Sequence, residues 1–126
     1  MDELKVSQIL QNDLGFSDSS IKKLKKFHSY LLEYNKRYNL ISKSTENSIW
    51  NRHILDSAQI IKFIDASQEN NIVDFGSGAG FPGLIIAIYN ENVGFHVKLY
   101  EKSPVKRAFL IDIKKKLDIK NMEVEN

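Results

Sequence analysis

The chain contains no cysteine, which excludes disulfides and thiolate metal sites and predicts a reducing, cytoplasmic setting. Its three histidines are scattered without ligand spacing, so no metal site is predicted. No apolar run is long enough to cross a membrane. The amino-terminal Asp2-Glu3-Leu4-Lys5 has neither the basic start nor the apolar core of a secretory signal. Ser-His-Asp and paired-carboxylate constellations are missing, as are internal repeats and low-complexity tracts. Charge of one sign is not in large excess: the net value of +2 does not by itself announce a nucleic-acid binder. The lysines do gather, at Lys22, Lys23, Lys25 and Lys26 and again from Lys114 to Lys116, which reads as wet helix faces or as phosphate contacts.

What is present falls into two zones. In the first, Ile21, Leu24, Phe27, His28, Leu31, Tyr34 and Tyr38 recur at helical spacing after a Ser17/Asp18 start signal. A shorter helix is expected around Leu4 to Leu10. Ser42 to Ser48 reads as a polar connector, and a further helix carries Ile49, Trp50, His53, Ile54, Ser57, Ile61 and Ile64. Ser67 to Asn71 reads as a loop.

The second zone alternates strand and helix. A short buried strand is expected at Asn71 to Phe75, and a helix after Pro82 to about Tyr89. A turn follows at Asn90 to Gly94, then a second strand from Phe95 to Tyr100. Pro104 opens another helix reaching about Leu117, and Met122-Glu123-Val124 begins a third strand. The pattern implies βαβ units and a parallel sheet. So small a parallel sheet leaves edges and one side open, so the chain is expected to be a fragment, or a short relative, of a larger α/β domain.

Between the first strand and its helix stands Asp74-Phe75-Gly76-Ser77-Gly78-Ala79-Gly80-Phe81-Pro82-Gly83. Glycines admit positive φ and leave no Cβ in a ligand's way, so the turn reads as a cofactor cradle. Two ligand classes compete. Gly78 to Gly83 fits the dinucleotide pattern G-x-G-x-x-G, with Glu101 ending the next strand as a ribose-binding acid. Read from Asp74, the letters D-x-G-x-G-x-G resemble the first motif of S-adenosylmethionine-dependent methyltransferases. There the acid suits the cofactor's ammonium group and would repel a pyrophosphate. Asp74 alternatively serves as a cap, and Glu101 as an exposed strand-end acid.

Four segments occur in order: Tyr34-Asn35-Lys36-Arg37-Tyr38-Asn39-Leu40, Arg52-His53-Ile54-Leu55-Asp56-Ser57, the glycine turn, and Lys106-Arg107-Ala108-Phe109-Leu110. Together they resemble the bacterial RsmG or GidB (glucose-inhibited division protein B) family over roughly residues 15 to 121. The family usually has threonine where this chain has Ile41, whereas Ser77 keeps the turn's hydroxyl.

The resemblance implies a class I, Rossmann-like methyltransferase fold: residues 1–66 a helical extension, residues 67–126 the first βαβα(β) part of the S-adenosylmethionine domain, with later strands missing. It implies methylation at N7 of a guanine in 16S rRNA, as free RNA or in the small-subunit particle. Cofactor contacts would fall to Asp74, Gly76, Ser77, Gly78, Gly80, Phe81 and Glu101, and RNA contacts to Arg52, Lys106 and Arg107. No residue is expected to act as an acid or base, because guanine N7 carries a lone pair and no proton. His53 is read as a packed structural residue. Arg52 and Asp56 stand at i,i+4, close enough for a helix-surface pair. The rival readings are a nicotinamide-dependent oxidoreductase fragment and a non-catalytic RNA-binding remnant.

Overall fold

A computed structural model describes residues 2–65, 70–89 and 95–126. The first zone opens with α1 (Glu3–Asn12) and α2 (Asp18–Asn35), each begun by a side chain that satisfies an otherwise unpaired amide. Asp2 accepts from the Lys5 N–H and Ser17 from the Ser20 N–H. The helical spacing predicted α2 through Tyr38, yet it stops at Asn35. The reason is local: buried Asn35 turns its Oδ1 onto the N–H groups of Leu40 and Ile41, at 2.9 and 3.0 Å, offering the backbone an alternative to another helical turn.

The connector expected at Ser42 to Ser48 is a 3-10 stretch, Lys43–Ser48. The regular helix expected to follow is a succession of a π-turn (Trp50–Leu55), a single α-turn labelled α3 (Asp56–Ala58) and a 3-10 stretch (Gln59–Phe63). Buried Ile49/Ile54 and Trp50/Leu55 lie five residues apart, the spacing of a π-turn's hydrogen bond rather than an α-helix's. Ile64 falls beyond the last turn.

The second zone follows the predicted order. It runs β1 (Asn70–Phe75), α4 (Gly83–Tyr89), β2 (Phe95–Tyr100), α5 (Pro104–Lys116) and β3 (Met122–Glu125). The strands form a parallel sheet ordered β1-β2-β3, with Asn70 opposite Phe95 and Phe75 opposite Tyr100. Asn70 and Asn71 belong to β1 rather than to a loop; Ser67 to Glu69 of that expected loop, the turn at Asn90 to Gly94 and the 66/67 boundary lie outside the described residues.

One core joins the zones: Leu24, Phe27 and Leu31 of α2 meet Leu84 and Ile85 of α4, Leu99 of β2 and Phe109 and Leu110 of α5. Each such side chain contributes about 1.5–3 kcal/mol on burial. Ser20 Oγ ties α2 to the end of α4 by donating to the Ile88 carbonyl at 2.7 Å. α4 and α5 cover one face of the sheet. On the other, Val73 is 47% and Phe75 78% exposed, with the Phe75 ring stacked on Tyr100 at 5.1 Å. The expectation that β1 is buried is thereby corrected. Alternation along a strand sends Ile72 and Asp74 toward the helices and Asn71, Val73 and Phe75 to the open face.

Candidate cofactor-binding turn

The turn lies where β1 and β2 end side by side. The N–H groups of Gly76 and Ser77 both reach the Tyr100 carbonyl, at 2.8 and 3.2 Å, so the turn continues the β1–β2 ladder. Its chain then reverses through Gly76, Gly78 and Gly80, with φ of +75°, +56° and +108°. Gly80 and Phe81 close it by donating to the Ser77 carbonyl. A Cβ at Gly78 would meet nothing within 4 Å, so open space adjoins the backbone at the middle glycine.

Two carboxylates frame this space. Glu101 Oε1 accepts from the Gly78 N–H at 2.7 Å and Oε2 from the Ser103 N–H at 2.8 Å, aiming the carboxylate across the strand ends. Burial pushes its pKa up, but these backbone donors and the nearby Lys106 outweigh that and hold it below the ordinary carboxylate range. Asp74 reaches the other side of the turn, where Oδ2 accepts from the Gly83 N–H at 3.0 Å and caps α4. Its pKa is raised, chiefly by burial and further by the charge of Glu101, against the lowering pull of the Gly83 bond.

Ser77 is 2% exposed and donates its hydroxyl to the Asp74 carbonyl, so that hydroxyl holds the turn together. Phe81 is wedged between layers. The His53 ring stacks on it at 4.8 Å and the Phe27 ring meets it edge-on at 5.6 Å. His53 Nε2 lies 3.0 Å from Thr45 Oγ1, whose own proton goes to the Ser42 carbonyl. Burial lowers the His53 pKa, Asp56 raises it and Arg52 lowers it. His53 is thus a packed, hydrogen-bonded imidazole beside the turn.

The basic residues expected at RNA occupy different settings. Arg52 is exposed, and among the described residues no ion pair joins it to Asp56, since a π-turn displaces the i,i+4 alignment. Lys106 stands within reach of the Glu101 charge. Arg107 folds back instead: Nη1 donates to the carbonyls of Glu101 and Lys102 and to Asn126 Oδ1, at 2.8, 2.7 and 3.0 Å. Cations near a helix start are disfavoured, and here these oxygens and Glu101 compensate them without a phosphate.

Sequence reasoning passed over Ser103, which caps α5 and holds Glu101, although Ser before Pro is a helix-start signature. It also passed over the Tyr100 carbonyl and the Thr45–His53 pair, which no spacing rule announces.

A family model described as GidB, rRNA small subunit methyltransferase G, matches residues 20–126. A protein of Magnetococcus marinus named ribosomal RNA small subunit methyltransferase G is 42% identical over 108 residues, covering 85% of this chain and 47% of the relative. Its namesake from Bartonella henselae is 39% identical over 118 residues, 93% of this chain and 54% of the relative. That of Pelagibacter ubique is 47% identical over 102 residues, 78% and 47%. The chain spans about half the length of the curated relatives it matches. With its glycine turn framed by Asp74 and Glu101 and a family match over residues 20–126, the chain belongs to the GidB family, rRNA small subunit methyltransferase G.

Proposed function

We propose that this chain supplies the cofactor-binding part of an S-adenosylmethionine-dependent methyltransferase acting on N7 of a guanine in 16S rRNA. The observation that carries the cofactor choice is the pair of carboxylates on the turn, Asp74 on the Gly83 N–H and Glu101 on the Gly78 N–H. A dinucleotide would place its pyrophosphate at the start of the helix, where Asp74 already presents an anion. A cofactor with a cationic ammonium and sulfonium and no phosphate suits the same charges.

The residues fit such a molecule. Glu101, oriented by two backbone donors, retains lone pairs for ribose hydroxyls. Gly78 and Gly76, with nothing within 4 Å of a Cβ position, let the ligand approach bare backbone, while Gly80 fits the turn closely against Leu84 and Leu110. Asp74 favours the ammonium end, Ser77 keeps the turn closed and Phe81 supplies an apolar wall. Residues 1–66 act as an extension packed on residues 67–126. Bound S-adenosylmethionine supplies an electrophilic methyl group.

The attacking N7 lone pair is unprotonated, so alignment and exclusion of water supply the rate gain rather than proton transfer. Arg52 and Lys106 are the cations offered to RNA; Arg107, engaged by carbonyls, contributes chiefly by shaping the β2–α5 turn.

Calorimetric titration with S-adenosylhomocysteine, with NAD in parallel, tests the reading. Heat with the first alone is expected. NAD binding alone refutes it, and silence with both denies this chain a working pocket.

A further inference from the structure

The groove between α2 and α5 interleaves aromatic rings with cations, away from the glycine turn. Tyr30, Tyr34 and Tyr38 follow one another at i,i+4. Lys116 Nζ lies 4.6 Å from the Tyr30 ring centre and 6.0 Å from that of Tyr34, fixed there by Asp112 at 3.0 Å. Asp112 in turn accepts the Tyr34 hydroxyl at 2.6 Å. Tyr30 and Tyr34 are half-buried, and packing accounts for them. Tyr38 is different: it stands past the end of α2, 43% exposed, its ring 6.3 Å from Tyr34.

Tyr38 and Tyr34 line a hollow of about 290 Å³ with Glu33, Arg37 and Lys116. No hydrogen bond or ion pair engages the Arg37 guanidinium among the described residues. Among the described residues Glu33 pairs only with exposed Lys36, at 3.8 Å. Among the described residues the lining is aromatic and charged, with two cations, Arg37 and Lys116, beside two rings.

We propose that the hollow seats one unpaired nucleotide of the RNA substrate. The base stacks on Tyr38, its amino group donates to Glu33, and a neighbouring phosphate lies between Arg37 and Lys116. Single-stranded RNA is read in this way, by aromatic platforms flanked by cations. Ring contacts run from Tyr38 through Tyr34, Phe109 and Phe27 to Phe81, so the seat is separated from the cofactor turn by packed core. It therefore holds a nucleotide other than the one methylated. The inference rests on the rRNA reading above.

The test is fluorescence anisotropy of the whole chain with an unstructured, labelled oligoribonucleotide at several salt concentrations. S-adenosylhomocysteine titration and circular dichroism of each variant run beside it. Tyr38→Ala is expected to weaken RNA binding about tenfold without changing the salt slope, and Tyr38→Phe to bind as the parent. Arg37→Ala should reduce the salt slope by about one phosphate. All three variants should keep the parent's S-adenosylhomocysteine affinity. The proposal is overturned by Tyr38→Ala binding within about twofold of the parent, or by a parent chain that ignores the oligonucleotide. Failure of the cofactor reading would register separately, as silence in the S-adenosylhomocysteine titration.

Discussion

Replacing Gly80 or Gly78 by alanine separates two demands made on the turn. At Gly80 the backbone sits at φ +108°, and a Cβ would come within 2.7 Å of both Cβ and Cδ2 of Leu84 and 3.3 Å of Leu110 Cδ2. Leu84 and Leu110 are fully buried on α4 and α5 and have nowhere to withdraw. Backbone strain of about 1–2 kcal/mol and overpacking of about 1–3 kcal/mol together predict a loss of about 2–5 kcal/mol. For a domain of this size that is roughly 6–30 °C in Tm. At Gly78, φ is +56°, within the left-handed region open to other residues, and the new Cβ meets nothing within 4 Å. Gly78→Ala should therefore cost only about 1 kcal/mol, roughly 3–6 °C. The methyl group nevertheless occupies the space offered to the cofactor, so S-adenosylhomocysteine affinity should fall while the fold survives. Thermal melts without ligand, paired with calorimetric titrations, read both quantities. If Gly78→Ala melts as low as Gly80→Ala, or Gly80→Ala melts with the parent, the steric account of the turn is wrong.

Burial raises the Asp74 pKa, so the folded state holds that proton more readily than the unfolded chain and this residue's burden on stability eases as pH falls through its folded pKa. Asp74→Asn should remove that component, and the parent should gain stability relative to the variant in melts taken from neutral pH downward. Glu101 has the opposite sign: its contribution is present above the unfolded pKa and lost as pH falls through the depressed folded value, so Glu101→Gln should flatten an acid-induced loss in the same melts. Arg107→Ala removes the bonds of Nη1 to three oxygens and should lower Tm in thermal melts. RNA affinity that falls with no change in Tm would contradict the folded-back role. His53→Ala strips one face of Phe81 and the bond to Thr45, so S-adenosylhomocysteine affinity should drop, with His53→Phe restoring more of it than His53→Leu in the same titration. Tyr34→Phe loses the bond to Asp112 and should cost about 1 kcal/mol in denaturant unfolding.

The alternation of strands and helices was legible because periodicity and capping are local. Ser17 opens α2 and Pro104 sits at the start of α5, as the residues announce. The glycine turn was legible because positive φ selects glycine. What stayed hidden depends on partners distant in the chain. The letters at Asp74 and Glu101 mark a charged site, but only folding shows that each carboxylate engages an amide of the turn, at Gly83 and at Gly78. Arg107 reads as a free cation until the β2–α5 turn brings three oxygens to it. The end of α2 escaped because Tyr38 continues the helical spacing while Asn35, inside the helix, stops it through bonds to Leu40 and Ile41. The π-turn escaped because Ile49, Trp50, Ile54 and Leu55 satisfy a helical pattern in either periodicity.

Pairing between β1 and β2 ends with Phe75 opposite Tyr100, and the very next amides, of Gly76 and Ser77, take up the Tyr100 carbonyl. The glycine turn is therefore the terminus of a ruler. Losing or gaining a single codon within residues 95–100 slides Glu101 one place and turns it to the opposite side of the sheet. Exchanging a side chain at Val73 or Lys98, on the open face, leaves the ruler's length untouched. A lineage carrying this turn can thus drift by substitution on the open face of the sheet, while insertions and deletions are confined to the connections between strands.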